Sequence, residues 1–122
     1  MTSARETRNE LIGLGRHLRD AIPGVYAAYA QMHNATMGDG ALPARVMELI
    51  ALAFAVTREC DGCVAAHARG AALRGATAQE VAEAMGVAIQ MNGGPGTVWG
   101  PRAYAAFEEF AGGPGPVSRP GS

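Results

Sequence analysis

Lysine is absent from this 122-residue chain, and neither acidic nor basic residues are gathered into a run. Ten arginines against eleven acidic residues leave a net charge of -1. The absence of lysine excludes a mechanism that forms a Schiff base on a lysine amine. Because there is no basic patch, the chain carries no electrostatic footprint for nucleic acid or for an anionic membrane surface, and we expect neither as a partner.

Long apolar runs are missing as well. The first ten residues are polar and lack the apolar centre of a signal peptide, and no stretch is long enough and free enough of charge to cross a bilayer. We therefore expect a cytoplasmic protein. Only 6% of the residues are aromatic, and alanine supplies much of the hydrophobic content. Each helix face thus offers little apolar area, which favours association between copies of the chain.

Cysteine is scarce, but the two cysteines stand close together as Cys60 and Cys63. In a reducing cytosol a structural disulfide is under constant pressure to open. The C-x-x-C spacing therefore indicates redox cycling or metal binding rather than a structural crosslink.

The spacing of apolar residues predicts an all-α chain of about six helices in antiparallel hairpins. Residues 1–111 are expected to form a single helical domain, and residues 112–122, rich in glycine and proline, a disordered tail. The third helix is apolar nearly all round and is expected to lie deep in the fold, which makes its one acid, Glu48, conspicuous. The predicted helices cover residues 7–20, 23–37, 44–58, 64–74, 78–91 and 97–110, with a loop at 92–96.

Reactive chemistry is predicted where the third helix ends and the fourth begins. A cysteine near the start of a helix faces unpaired backbone N–H groups, which favour the thiolate. Cys63 and His67 are four residues apart, so the imidazole lies on the same helical face and can accept the thiol proton. Cys60 is placed to resolve an intermediate on Cys63, and Glu48 is predicted to orient His67 as the third member of a relay.

Other interpretations of these residues remain open at this point. The cysteines could be two small buried thiols, or Cys60, Cys63 and His67 could bind zinc together with an acid. Glu48 could pair with Arg45, three residues earlier on the same helix. Glu59 and Asp61 are interpreted as an exposed residue and a helix-cap or turn residue, without a catalytic role.

One family resemblance unites these features. The chain resembles the carboxymuconolactone decarboxylase family, and within it the alkylhydroperoxidase D-like branch. The resemblance rests on the segment Gly40–Ala53, on the pattern Glu59-Cys60-x-x-Cys63-x-x-x-His67, and on the later Asn92-Gly93-Gly94-Pro95. The pattern with glutamate and histidine is far more specific than C-x-x-C alone.

The resemblance implies an all-α alkylhydroperoxidase D-like fold that assembles as a homo-trimer or homo-hexamer. It also implies a peroxidase or disulfide reductase that binds no cofactor and works through a redox-active Cys60–Cys63 disulfide, regenerated by a lipoylated or other dithiol donor. The relay residues of the family fall on Glu48 and His67. One position differs from the family pattern: some peroxidases of the family carry a histidine just before the second cysteine, and this chain has Gly62 there. That departure counts against efficient peroxide reduction and against a lipoylated donor.

Three functions are compatible with the sequence. The first is a thiol–disulfide oxidoreductase that reduces a small-molecule peroxide or disulfide through Cys60 and Cys63. The second is a cofactor-free lyase or decarboxylase acting on a small lactone acid, as in the other branch of the same family. The third is a non-catalytic helical oligomer that binds an apolar ligand or partner and uses the disulfide as a redox sensor.

Overall fold

A computed structural model of the chain describes residues 2–112, and these residues form six α-helices with no strand among them. The predicted all-α class is confirmed. The tail predicted for residues 112–122 lies, apart from Gly112, outside the described residues. The helices are α1 (Ala4–Ala21), α2 (Pro23–Thr36), α3 (Ala44–Thr57), α4 (Asp61–Leu73), α5 (Ala78–Asn92) and α6 (Gly94–Phe110).

Three predicted helix starts are late by about one turn. Helix α1 begins at Ala4 rather than at residue 7, because Ser3 caps it and forms a capping box with Glu6. Helix α4 begins at Asp61 rather than at residue 64, because the side chain of Cys60 caps it. The loop predicted for residues 92–96 shrinks to Gly93, which joins α5 to α6 with a φ of 68°. Pro95 continues into the first turn of α6, where a missing backbone N–H has no cost. The start of α6 was therefore missed because glycine and proline, which are typical of loops, make up its first turn.

The packing of α3, α4, α5 and α6 produces the core, and α1 lies against α4 and α6. The largest fully buried side chains are Leu52, Val56 and Val81. Much of the remaining core is alanine, including Ala68, which allows the helices to approach one another closely. Helix α1 is fixed at its start, where the Glu109 carboxylate accepts hydrogen bonds from the N–H groups of residues 4 and 5, at 3.1 and 3.2 Å.

Helix α3 does not lie deep in the fold on all sides, so that expectation is wrong for the single chain. Its inner face contacts α4, α5 and α6, but Ile50 and Phe54 on its outer face are exposed. Together with Val87 and Met91 of α5, they line an apolar groove of about 430 Å³. The sequence shows that both faces are apolar, but one chain supplies neighbours for only one of them.

A second apolar surface, which we call the arm, runs along the end of α1 and the length of α2. It consists of Leu14, Leu18, Val25, Tyr29 and Met32, all of them exposed. Helix α2 has no acidic residue and no arginine, and it buries none of its fourteen residues. Within the described region the helix that it contacts most is α1, and that contact is small. None of the helices between residues 2 and 112 has both the length and the apolar character needed to span a bilayer.

Replacing Leu52 by alanine tests the position of the core. Leu52 is fully buried, so Leu52→Ala is expected to lower the free energy of unfolding by about 2–5 kcal/mol through lost burial and a residual cavity. Thermal and urea unfolding measure the loss. Leu73→Ala is the matched control, because Leu73 is exposed at the end of α4 and should change stability by less than about 0.5 kcal/mol. Equal losses in the two variants would contradict this core.

Candidate active site

The turn between α3 and α4 fixes the position of Cys60. The N–H of Glu59 donates to Val56 O and the N–H of Cys60 donates to Ala55 O, both at 3.1 Å. This is the Schellman arrangement, which requires a left-handed residue before Cys60. Glu59 adopts that conformation with a φ of 51°, whereas the corresponding turn after α4 uses Gly75. Cys60 therefore closes one helix and caps the next.

The two cysteines form a disulfide at the start of α4, with their Cα atoms 5.2 Å apart. The backbone N–H of Cys63 donates to Cys60 Sγ at 3.2 Å. When the disulfide is reduced, the same N–H and the positive end of the helix dipole would stabilise a thiolate on Cys60. Cys63 is exposed and Cys60 is half-buried, so Cys63 is the more accessible residue of the pair in the single chain. The interpretation of the cysteines as two buried thiols is wrong for this structure.

His67 and Glu48 make the central contact of the site. Glu48 Oε1 lies 2.8 Å from His67 Nδ1, and the carboxylate side chain is 4% exposed. Since a carboxylate can only accept, Nδ1 carries the proton and donates it, which leaves Nε2 free to take up another. His67 follows Cys63 by one helical turn on the same helix. The structure thus brings Glu48 to His67 as the sequence predicted.

The alternative partner of Glu48 is engaged elsewhere. Arg45 Nε lies 3.1 Å from Glu80 Oε2, across the contact between α3 and α5. The Thr77 N–H, and then the Arg45 guanidinium, hold the pKa of the Glu80 carboxyl below its usual range. A lowered pKa means that the charged form is favoured by folding, so this contact stabilises the fold at neutral pH and is lost as the pH falls through that lowered value. The pairing of Glu48 with Arg45 is therefore wrong.

Gly62, between the two cysteines, lies under helix α1. A Cβ atom built at Gly62 would fall 2.6 Å from Leu11 Cδ1, closer than real Cβ contacts. A histidine at this position, as in some similar peroxidases, would require Leu11 or the whole of α1 to move. Gly62 thus lies where the Leu11 side chain of α1 packs against the cysteine turn.

The two acidic residues next to the cysteines, Glu59 and Asp61, lie at the turn and at the start of α4. Asp61 is the first residue of α4, after the cap rather than at it, and Glu59 is exposed. A cleft of about 250 Å³ begins beside Asp61 and Val64 and extends to Trp99 and Arg102 of α6, with the guanidinium 4.8 Å from the centre of the indole. Its volume lies below the range of about 300–1,000 Å³ that is usual for small-molecule sites. Only a small molecule would fit in a cleft of this size, and neither the cysteines nor His67 are among its lining residues.

Sequence reasoning missed two positions in this site. The capping role of the Cys60 sulfur was missed because cysteine is not among the usual capping residues. Gly70 was missed because a glycine within a helix suggests only weakened helix propensity. The sequence did hold one indication of its role: Gly70 lies three residues after His67, in a helix otherwise rich in alanine. Within residues 2–112, no cluster of three or more histidine, cysteine or acidic side chains is arranged to hold a metal ion.

Comparisons with known proteins agree with this geometry. The family model of the carboxymuconolactone decarboxylase family matches residues 23–111. An uncharacterized protein of Cupriavidus necator is 41% identical over 91 residues, covering 75% of this chain and 80% of its own. "Uncharacterized protein 4 in cox locus" of Paracoccus denitrificans is 34% identical over 85 residues, covering 70% and 77%.

A solved structure also matches. The crystal structure of an apo carboxymuconolactone decarboxylase family protein from Legionella pneumophila superposes with a TM-score of 0.85 at 31% sequence identity. The match covers 88% of this chain and 96% of that one. The family predicted from the sequence is confirmed, and the alkylhydroperoxidase D-like branch is consistent with these matches.

The charge of Glu48 can be removed without changing its size. Glu48→Gln keeps a hydrogen-bond acceptor for His67 but cannot stabilise an imidazolium, so proton transfer from the cysteine pair should slow. We expect the reduced chain to exchange with a small aromatic disulfide about 10–100-fold more slowly at neutral pH. Absorbance of the released thiol measures the rate. Glu83→Gln, an exposed change on α5, is the control, and an unchanged rate in Glu48→Gln would show that the carboxylate plays no part.

Proposed function

The chain belongs to the carboxymuconolactone decarboxylase family, and on that premise we propose that it is a thiol–disulfide oxidoreductase of the alkylhydroperoxidase D-like type. Its substrate is a small peroxide or a small disulfide. The observation that carries the proposal is the accessible Cys60–Cys63 disulfide at the start of α4, one turn before an imidazole that a buried carboxylate holds. In this arrangement Cys63 supplies the nucleophile, Cys60 the resolving thiol and His67 the proton carrier.

In the oxidative half of the cycle, His67 Nε2 takes the proton of Cys63, and the thiolate attacks the distal oxygen of the hydroperoxide. The O–O bond breaks, and the alkoxide leaves as an alcohol with the proton from His67. Cys63 is left as a sulfenic acid. Cys60 then attacks Cys63 Sγ, the S–S bond forms, and hydroxide leaves with the Cys60 proton as water. Two electrons have passed from the thiols to the peroxide. With a disulfide substrate, Cys63 attacks sulfur instead and a thiol leaves.

In the reductive half, a dithiol donor supplies two electrons and two protons. One donor thiolate attacks Sγ of Cys63, the more exposed residue of the pair, and Cys60 leaves as a thiolate. The Cys63 N–H that already points at Cys60 Sγ favours this departure. The second donor thiol attacks its partner sulfur in the mixed disulfide and releases Cys63. The donor ends as a disulfide, as a lipoylated carrier or another small dithiol would. This cycle needs a reducing compartment, so we assign it to the cytoplasm.

Substitution of each cysteine tests the assigned roles. Cys63→Ser should abolish turnover of an alkyl hydroperoxide or a small disulfide with dihydrolipoamide or dithiothreitol as donor. Without a donor thiol, reduced Cys60→Ser should react once and stop. A hydroperoxide should leave a sulfenic acid on Cys63, which dimedone traps for mass spectrometry, and a disulfide substrate should leave a mixed disulfide, which mass spectrometry detects directly. Ala66→Ser is the matched control, because it places a serine on the exposed side of the same helix.

Three outcomes would overturn the proposal. Full turnover in Cys63→Ser would remove the sulfur chemistry from the mechanism. Decarboxylation of a lactone acid that persists in the Cys60→Ser/Cys63→Ser variant would favour the lyase branch of the family instead. Ligand affinity that follows the redox state of the wild-type chain, with no turnover of either substrate, would indicate a sensor.

We further propose that copies of the chain assemble into a closed ring, a trimer or a hexamer. The support is the pair of different apolar surfaces on one chain, the arm and the groove between α3 and α5. Two unlike surfaces suit a head-to-tail contact, in which the arm of one copy covers the groove of the next, and such contacts form a ring when the rotation between copies closes. An uncharged helix with no buried residue is otherwise costly to leave in water.

A charge in the middle of the arm tests the assembly. Tyr29→Glu is expected to disrupt the ring, because a carboxylate would be buried without a partner. Light scattering after size exclusion should show the mass falling toward that of one 12.5 kDa chain. Gln31→Glu adds the same charge to α2 outside the apolar stripe and should leave the mass unchanged. A wild-type chain that is already monomeric at micromolar concentration would contradict the ring.

A further inference from the structure

Glu48 reaches His67 by crossing the surface of α4, at the position of Gly70. The carboxylate comes from α3, is almost completely buried, and passes over α4 one turn beyond His67. An ideal Cβ atom at Gly70 would lie 2.5 Å from Glu48 Oε1 and 2.6 Å from Oε2, whereas real Cβ atoms essentially never come within 3.0 Å of another heavy atom. Every residue other than glycine would therefore occupy the space of the carboxylate.

Gly70 lies in the interior of α4, in a stretch made up mostly of alanine. The rest of the helix is rich in alanine, with five of them between residues 65 and 72. A glycine inside a helix lowers its stability relative to alanine. Its conformation here is ordinary, since its φ is not positive. Neither helix propensity nor backbone geometry explains the glycine, and the contact with Glu48 does.

We propose that Gly70 is a positioning residue of the active site. Because it has no side chain, it leaves the space in which the Glu48 carboxylate lies against His67 Nδ1. This inference deepens the proposed function and rests on it for its effect on turnover. Gly70 touches neither substrate nor sulfur in this role. It acts through Glu48, which fixes the His67 tautomer and leaves Nε2 free for the cysteine proton.

The test compares Gly70→Ala with Gly86→Ala. Gly86 lies inside α5 and is exposed, and a Cβ atom added there would have no other atom within 4 Å, so alanine is harmless at this position. In ¹⁵N-labelled chain, the Nδ1–H signature of His67 should be present in the wild type and in Gly86→Ala and lost in Gly70→Ala. The assignment is direct because the chain has three histidines, and His67→Gln identifies the signal. Turnover with peroxide or disulfide should fall about 10–100-fold in Gly70→Ala only.

A double variant separates positioning from a general defect. If Gly70 acts through the carboxylate, Glu48→Ala/Gly70→Ala should be no slower than Glu48→Ala alone, since Glu48→Ala already removes the interaction that Gly70→Ala disturbs. An additive loss of rate would overturn the proposal, and so would an unchanged His67 signature in Gly70→Ala.

If Gly70→Ala folds poorly, thermal unfolding of variants that lack the Glu48 carboxylate still tests the proposal. Once Glu48 is alanine, the space beside position 70 is free, so Glu48→Ala/Gly70→Ala should have a Tm equal to or above that of Glu48→Ala. A lower Tm would show that the crowding comes from some other group and would overturn the proposal. The NMR comparison does not depend on activity. A wild-type chain without turnover would therefore refute the proposed function and still allow the role of Gly70 to be decided.

Discussion

The contact between Glu48 and His67 is the constraint on which the rest of the site depends. A carboxylate that is 3% exposed must have a partner, because an unpaired buried charge costs several kcal/mol. The contact therefore fixes how far α3 and α4 are displaced along each other. With that register set, the sulfurs at the start of α4 and the imidazole one turn later stay in place. The redox chemistry that we propose therefore depends on the packing of these two helices.

The ends of these helices support the same register. Helix α3 is capped from outside, where Asp39 Oδ1 accepts the N–H of Ala44 at 2.7 Å. At its other end the left-handed Glu59 turns the chain so that Cys60 immediately starts α4. The short turn leaves little freedom between Glu48 and His67. A strained non-glycine residue before a reactive cysteine is the kind of local cost that functional sites often carry.

Much of this site could be predicted from the sequence because its parts are local. Cys60, Cys63 and His67 share one helix, so their spacing alone predicts a common face. Glu48 was found because a lone acid in an apolar helix needs a partner. The choice between His67 and Arg45 required the structure, since the partner of Arg45 is Glu80, 35 positions further along the chain.

Other errors share a physical cause. The start of α4 was placed too late because a sulfur caps it, and the start of α6 because glycine and proline dominate its first turn. Periodicity shows that a helix face is apolar but does not show what covers it. The outer face of α3 was therefore expected to be buried, and its Ile50 and Phe54 are exposed in the single chain. The alanine-rich composition that brings the core helices together also leaves little apolar area to cover the arm.

The reactivity of the reduced cysteines tests the central claim most directly. A free cysteine thiol has a pKa of about 8.5, and its alkylation by iodoacetamide follows the thiolate fraction. The account predicts that one cysteine of the reduced chain is alkylated rapidly at pH values well below 8.5, and that His67→Gln moves this profile toward that of a free thiol. If both cysteines of the wild-type chain follow the profile of free cysteine, the helix start and the imidazole do not activate a thiol, and the account is contradicted.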